Sequence, residues 1–227
     1  MPALQRWTIS DQVQSSDMKR ILIIDDHAVV RSGLRGIIGA QTEPTVFGEA
    51  GTPQEAINLA RQQEWDLAIL DLSLEGQSGL ELLKELKQIR PKLPVLILSM
   101  HSEEQYARRA FKTGAAGFVT KDSPQMELVK AINKVLTGGR YVSSALAEKL
   151  VQYLEGDIDQ APHESLSNRE FEVMRLLASG TTVGEIAALL SLSDKTISTY
   201  RARVMEKMGM KTNADLARYA VQNQLVD

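Results

Sequence analysis

Five polar residues of this 227-residue chain stand at the ends of short, strand-like apolar runs. Asp25 and Asp26 end the first run, Asp71 ends the third, Ser99 nearly ends the fourth and Lys121 follows the fifth. In an open parallel sheet such positions converge, because ligands bind outside the carboxyl ends of the strands where the strand order reverses. Three carboxylates in one cleft repel unless a cation neutralises them, and an all-oxygen site of this kind suits Mg²⁺, which keeps part of its water shell. Lys121 can bring a further positive charge to a phosphoryl oxygen, and Ser99 a hydroxyl donor. A carboxylate is itself a competent nucleophile for phosphoryl transfer when cationic groups stabilise the transferring oxygens, and Asp71 is the central candidate. Each residue alone has an ordinary reading as a turn former, a loop hydroxyl or a solvated charge. Their joint placement on four strand ends argues for a site.

The elements that must position them follow from hydrophobic patterning. The β-rich runs are Arg20–Asp25 (RILIID), Thr45–Ala50, Asp66–Asp71 (DLAILD), Pro94–Met100 (PVLILSM) and Gly117–Thr120 (GFVT). Amphipathic stretches begin near Ala28, Pro53, Gly79 and Glu103, and a fifth runs from Ser123 to about Thr137. Strands alternating with helices of this length predict βαβ units and a doubly wound, five-stranded parallel sheet covered on both faces, a flavodoxin-like α/β fold. Residues 1–18 form a polar leader, expected to be a poorly ordered arm. The α/β unit is expected over 19–139, and a linker with a helix (Ser143–Leu154) over 140–164. The segment EGDIDQAPHES at its end carries the structure breakers Gly156 and Pro162.

From Leu166 the period becomes purely helical, so an all-α domain is expected over 165–227. Four helices fit, at about 168–179, 183–190, 194–208 and 213–224, with caps at Ser167, Thr182 and Ser193, the first two in Ser/Thr-x-x-Glu capping boxes. In the third helix, Ile197, Tyr200, Val204 and Met208 share the face expected to pack inward. Lys195, Ser198, Thr199 and Ala202 point the other way, with Arg201 and Arg203 on the flanks. Small polar side chains there can approach base edges while the arginines reach phosphates. The second helix and the SLSD turn complete a helix-turn-helix layout. Periodicity alone favours an ordinary helical bundle with a solvated basic face.

Composition sets the outer bounds. Hydrophobic residues make up 43% and charged residues 24%, enough for two small domains, and the net charge is -3. Residues 165–227 carry eight Lys/Arg against seven Asp/Glu, so DNA contact must come from a local patch and not from bulk charge. With no cysteine, disulfide frameworks and Cys-ligated zinc fingers are excluded. No apolar run reaches membrane-spanning length, and the first residues lack the basic and apolar regions of a signal peptide. A soluble, cytoplasmic protein is expected.

Residues 19–137 resemble the receiver domains of bacterial response regulators, with ILIIDDH, LAILDLSL, LILSMH and GAAGFVTKD in the family's order. The resemblance implies that Asp25 and Asp26 help bind Mg²⁺, that Asp71 accepts the phosphoryl group and that the backbone carbonyl of Ser73 completes the metal shell. It also implies that Ser99 and Lys121 bind the phosphoryl oxygens. Phe118 occupies the place of an aromatic switch residue, with a plain core phenylalanine as the equal alternative. Ser73 and His101 stand at positions that tune the lifetime of the phosphoryl group.

Residues 165–220 resemble the LuxR-type four-helix DNA-binding module, carrying its LSxRE start (LSNRE), GEIA and KTIxxY, with Tyr200 where histidine is common. Together the two halves resemble the NarL/FixJ response regulators, which implies a transcription regulator and not an enzyme. The partners so implied are a sensor histidine kinase, double-stranded DNA carrying an inverted repeat, RNA polymerase and a second copy of the chain. In the family the last helix pairs two modules, which nominates Leu216, Tyr219 and Ala220 for dimerisation. A phosphohydrolase of the haloacid dehalogenase type also uses an aspartate nucleophile and Mg²⁺, but needs an acid two residues on. Ser73 stands there, so slow self-hydrolysis is the most this site should achieve.

Overall fold

The computed structural model describes residues 18–40, 45–74, 77–100, 103–148, 161–223 and 225–226. The leader 1–17, His101 and residues 149–160 of the expected linker lie outside the described residues. Five strands, β1 (Lys19–Ile24), β2 (Thr45–Ala50), β3 (Leu67–Asp71), β4 (Val95–Ser99) and β5 (Gly117–Thr120), form one parallel sheet in the order β2-β1-β3-β4-β5. Between and after them run α1 (Ala28–Gly39), α2 (Pro53–Gln62), α3 (Gly79–Ile89), α4 (Glu103–Thr113) and α5 (Gln125–Leu136). All residues of β3 and β4 are buried, the signature of parallel strands covered on both faces.

Alternation along each strand sorts the core into two layers. Ile21, Ile23, Leu67, Ile69, Leu96, Leu98 and Val119 pack with Leu34 and Ile38 of α1 and with Leu128 and Ile132 of α5. Leu22, Ile24, Ala68, Leu70, Ile97 and Phe118 face the other way, toward α2, α3 and α4. That second layer runs on without interruption into the C-terminal module.

The α/β unit extends beyond the boundary expected at Gly139. Tyr141 bridges to Gly117, its N–H donating to the Ala116 carbonyl at 3.0 Å and its own carbonyl accepting from Phe118 N–H at 3.2 Å. A helix α6, described over 144–148, follows and buries Leu146. Residues 141–146 therefore belong to the packed unit and not to a free linker. Ahead of the C-terminal module stands a 3₁₀ turn, η1 (Pro162–Ser165), with His163 buried.

The C-terminal module comprises α7 (Asn168–Ala178), α8 (Val183–Leu189), α9 (Asp194–Met208) and α10 (Asn213–Gln222). Ser167, Thr182 and Thr212 each close a capping box, with Glu170, Glu185 and Asp215 answering at the third helical position. These caps satisfy backbone donors that a short helix leaves open. Gly209 ends α9 in the left-handed region, at φ 64°, where a side chain would be strained.

One close approach bears on the site above the sheet. A Cβ placed on Gly79 would lie 2.4 Å from Leu72 Cα and 2.6 Å from the Asp71 carbonyl oxygen, both backbone atoms. Gly79→Ala must therefore push α3 off the end of β3, and overpacking of this kind costs roughly 1–3 kcal/mol. The denaturation midpoint should fall accordingly, and an unchanged midpoint would show that the loop after Asp71 yields freely.

Candidate functional site

The reversal of strand order falls between β1 and β3, each next to the other and leading to helices on opposite faces. Asp25 follows β1 and Asp71 ends β3 at this crevice, and both are almost fully buried. Lys121 reaches over from the end of β5, and its Nζ donates to Asp25 Oδ2 and to Asp71 Oδ2, each at 2.7 Å. Burial alone would pull the Lys121 pKa down, but the hydrogen bonds to Asp25 and Asp71 and their charges outweigh it and leave the pKa above its ordinary value. Its backbone is anchored as well, with Lys121 N–H donating to the Ser99 carbonyl at 2.8 Å.

The remaining carboxylate oxygens are tied to backbone at the start of the following loops. His27 N–H donates to Asp25 Oδ1 at 2.8 Å, and Ser73 N–H donates to Asp71 Oδ1 at 3.1 Å. Arg31 of α1 donates to the Asp25 carbonyl at 2.7 Å and pairs with Glu49 of β2 at 3.1 Å, fixing the β1–α1 turn. Asp26 Oδ1 is shielded from solvent and accepts no hydrogen bond among the described residues. The closest described partner is His27 Nδ1, at 2.6 Å. Asp25, Asp26 and His27 bring ligand atoms within 4.8 Å of one another, and the carboxylate oxygens among them suit a hard cation such as Mg²⁺, which receiver domains in general bind at their acidic pocket. Ser99 and Phe118 are both fully buried on adjacent strands, Phe118 in register with Ile97 and Ser99 with Thr120, so the two are offset by two residues along the sheet. His27 was not singled out by the sequence, since a lone exposed histidine after a strand carries no spacing signal.

A second surface lies on α9. Ile197, Val204 and Met208 are buried and Tyr200 is half-buried, while Lys195, Ser198, Thr199, Ala202 and Arg203 are exposed on the opposite side. Arg201 is half-buried and donates through Nε to Asn213 Oδ1 at 2.9 Å, so the start of α10 orients it. At the far end of the helix Lys207 bonds Glu170 at 2.6 Å, tying α9 to the capping box of α7.

The expectation for the last helix needs correction. Leu216 and Ala220 are fully buried, with α10 packed against α7, so the module covers this stripe by itself. Tyr219 is half-buried and its hydroxyl lies 2.7 Å from His163 Nδ1. The exposed face of α10 instead carries Ala214, Arg218 and Val221, spaced four and three residues apart, and Val221 is 61% exposed. Helical periodicity locates an apolar stripe but does not say whether its cover is intramolecular.

No helix among the described residues is long and apolar enough to cross a membrane. Comparison with known proteins agrees with both halves of the fold. Residues 21–133 match the response regulator receiver domain, and residues 164–220 match the luxR family of bacterial regulatory proteins. The chain is 32% identical over 211 residues to the response regulator GacA of Pseudomonas aeruginosa, spanning 92% of this chain and 99% of that protein. It is 33% identical over 215 residues to the oxygen regulatory protein NreC of Staphylococcus carnosus, spanning 92% and 99%. Among solved structures it is similar to RcsB of Salmonella enterica serovar Typhimurium bound to promoter rprA in the presence of phosphomimetic BeF3-. There the TM-score is 0.66 at 30% identity, covering 89% of this chain and 98% of that one. An acidic, lysine-bridged crevice on a parallel sheet joined to a helix-turn-helix module, with relatives along nearly its whole length, makes this chain a member of the NarL/FixJ family of two-component response regulators.

Proposed function

We propose that Asp71 takes the phosphoryl group and that its phosphorylation governs the pairing of two DNA-binding modules on an inverted repeat. The observation that carries this reading is the position of Lys121 Nζ, 2.7 Å from both Asp25 and Asp71. This cation already occupies the place where the charge of an incoming phosphoryl group must be met.

The chemistry is a displacement at phosphorus. A carboxylate oxygen of Asp71 attacks the phosphoryl group of a sensor kinase's phosphohistidine or of a small phosphodonor, and the bond from phosphorus to the donor breaks. The backbone hydrogen bond from Ser73 N–H and the Lys121 ammonium aim the carboxylate beforehand, so little reorientation is required. Asp25, Asp26, Asp71 and the Ser73 carbonyl would hold Mg²⁺, which when bound offsets negative charge on the transferring oxygens. Lys121 then leaves Asp71 for a phosphoryl oxygen, and the Ser99 hydroxyl turns to another, drawing on the strand that neighbours Phe118. Ser73 supplies no carboxylate to activate water, so the phosphoryl group persists as a signal and is not turned over as a substrate.

The α9 face supports the output. Its exposed small residues suit base edges and its arginines suit phosphates, and the similar RcsB structure is bound to promoter DNA. Binding promoter DNA places the protein in the cytoplasm, with RNA polymerase receiving the output. Pairing through the exposed α10 stripe, with Val221 at its C-terminal end, gives a two-fold dimer whose half-sites lie about one helical turn apart.

Two tests follow. Asp71→Asn should abolish Mg²⁺-dependent labelling by a small phosphodonor, because the amide is a poor nucleophile; undiminished labelling on another residue would contradict the assignment. On DNA, Val221→Asp should weaken cooperative binding to a repeat without affecting phosphorylation. Thr199→Ala should alter sequence preference, and Arg203→Ala should weaken all sequences alike with a salt slope shallower by roughly one. Footprinting at several salt concentrations separates these effects, and a full-strength paired footprint from Val221→Asp would remove α10 from the interface.

A further inference from the structure

The receiver and the DNA-binding module meet where α3 and α4 face α7 and η1, and Arg109 of α4 makes two of the hydrogen bonds across the joint. Arg109 donates from Nη1 to the Leu166 carbonyl at 2.8 Å and from Nη2 to the His163 carbonyl at 2.5 Å, while its guanidinium carbon lies 4.0 Å above the centre of the Phe171 ring. Both carbonyls sit where the chain enters the module, at η1 and the residue before the Ser167 cap. On either side Arg108 pairs with Glu164, and the Tyr106 hydroxyl accepts from Arg175 of α7. The Tyr106 ring meets Phe171 edge-on at 5.7 Å. Burial of the Arg109 guanidinium, offset in part by Glu164, brings its pKa down to about 10. A cation withdrawn this far from water is held only while its carbonyl partners stay in place.

Two contacts lead onward from the joint. His163 Nδ1 and the Tyr219 hydroxyl of α10 lie 2.7 Å apart, and Glu170 of the α7 capping box receives Lys207 from the end of α9. Burial, together with Arg109 and Arg108 and against the opposing charge of Glu164, brings the His163 pKa down to about 4. The ring is therefore neutral near pH 7 and holds one fixed hydrogen bond. The face of α9 that carries Lys195, Ser198, Thr199 and Arg203 stays exposed in this docked arrangement. The receiver does not cover the DNA-reading surface.

We infer that Arg109 is a latch that holds the DNA-binding module on receiver helix α4, and that η1, through His163, passes its state to α10. The receiver thus controls whether two modules can pair, and leaves the single module able to read DNA. This rests on the reading that Asp71 phosphorylation governs paired binding. Phe118 and Tyr106 share one core layer with the strands bearing Ser99 and Asp71. That layer gives a packed route from the crevice to α4.

The absence of cysteine from the chain allows a clean staple. Asn168 Nδ2 and Thr113 Oγ1 lie 3.5 Å apart across the joint, so Thr113→Cys/Asn168→Cys can be bridged by a short reducible bis-maleimide. The latch predicts that stapled full-length protein binds a single half-site at the unstapled strength. Its gain from phosphodonor on a paired site, roughly tenfold as typical for coupled sites, should be lost and then return on reduction. Arg109→Ala should raise paired-site binding by a similar factor with no phosphodonor present, leaving half-site binding unchanged. A staple that lowers half-site binding would mean that the reading face is covered, and would overturn the proposal. So would a stapled protein that keeps its full gain, or an Arg109→Ala protein whose paired binding does not rise. A wild type that ignores phosphodonor while Arg109→Ala still gains paired binding would strike the phosphorylation reading and leave the latch standing.

Discussion

Lys121 between Asp25 and Asp71 is the interaction on which the arrangement turns. Three carboxylates at one crevice would repel each other, and two of them are almost wholly withdrawn from water. Removing one partner from a buried pair typically costs about 3–5 kcal/mol, because the other charge is left uncompensated. The ammonium group thus allows β1 and β3 to end in acids at adjacent positions, and it makes the crevice responsive. Any group that competes for Lys121 changes the balance of charge at three strand ends together. Because Lys121 N–H is fixed to the Ser99 carbonyl, a shift of that side chain bears directly on β4 and on the neighbouring Phe118.

From that crevice outward the molecule is arranged by covered faces. Among the described residues, one layer of the sheet is sealed by α1 and α5 with Tyr141 packed against it. The other is sealed by α2, α3 and α4 and then continues into the C-terminal module through Tyr106 and Phe171, so the two domains share apolar contact on the face that also holds Phe118. The open surface of α9 and the engaged surface of α7 lie on different sides of the same small bundle. Restraint and recognition are therefore separable on this chain, which a design that simply blocked the reading helix would not permit.

Much of this was legible in the residues. Alternating β-rich runs and amphipathic stretches mark the doubly wound sheet, and polar residues at the strand ends point to the crevice because parallel topology leaves them nowhere else to converge. Ser-x-x-Glu and Thr-x-x-Glu boxes marked helix starts to the residue, since caps are local chemistry. What escaped was long-range and depended on partners. Tyr141 joins β5 by backbone hydrogen bonds that no side-chain pattern announces. Leu216 and Ala220 formed a visible stripe, but only packing against α7 showed that the module buries them itself. Arg109 is one of a pair of arginines on an amphipathic helix, and nothing in its spacing distinguishes a guanidinium bound to distant carbonyls from one in water.

If Arg109 latches the module as proposed, charge placed at Asp71 is felt at the junction between α4 and η1. Hydrogen exchange of the full-length protein, with and without phosphodonor and in the absence of DNA, reads this most directly. Phosphorylation should speed exchange in α4 and at the start of α7, as the carbonyls of His163 and Leu166 lose Arg109, while β1 and β3 stay protected. Exchange that changes only in the loop after Asp71, with α4 and the junction as protected as before, would contradict it.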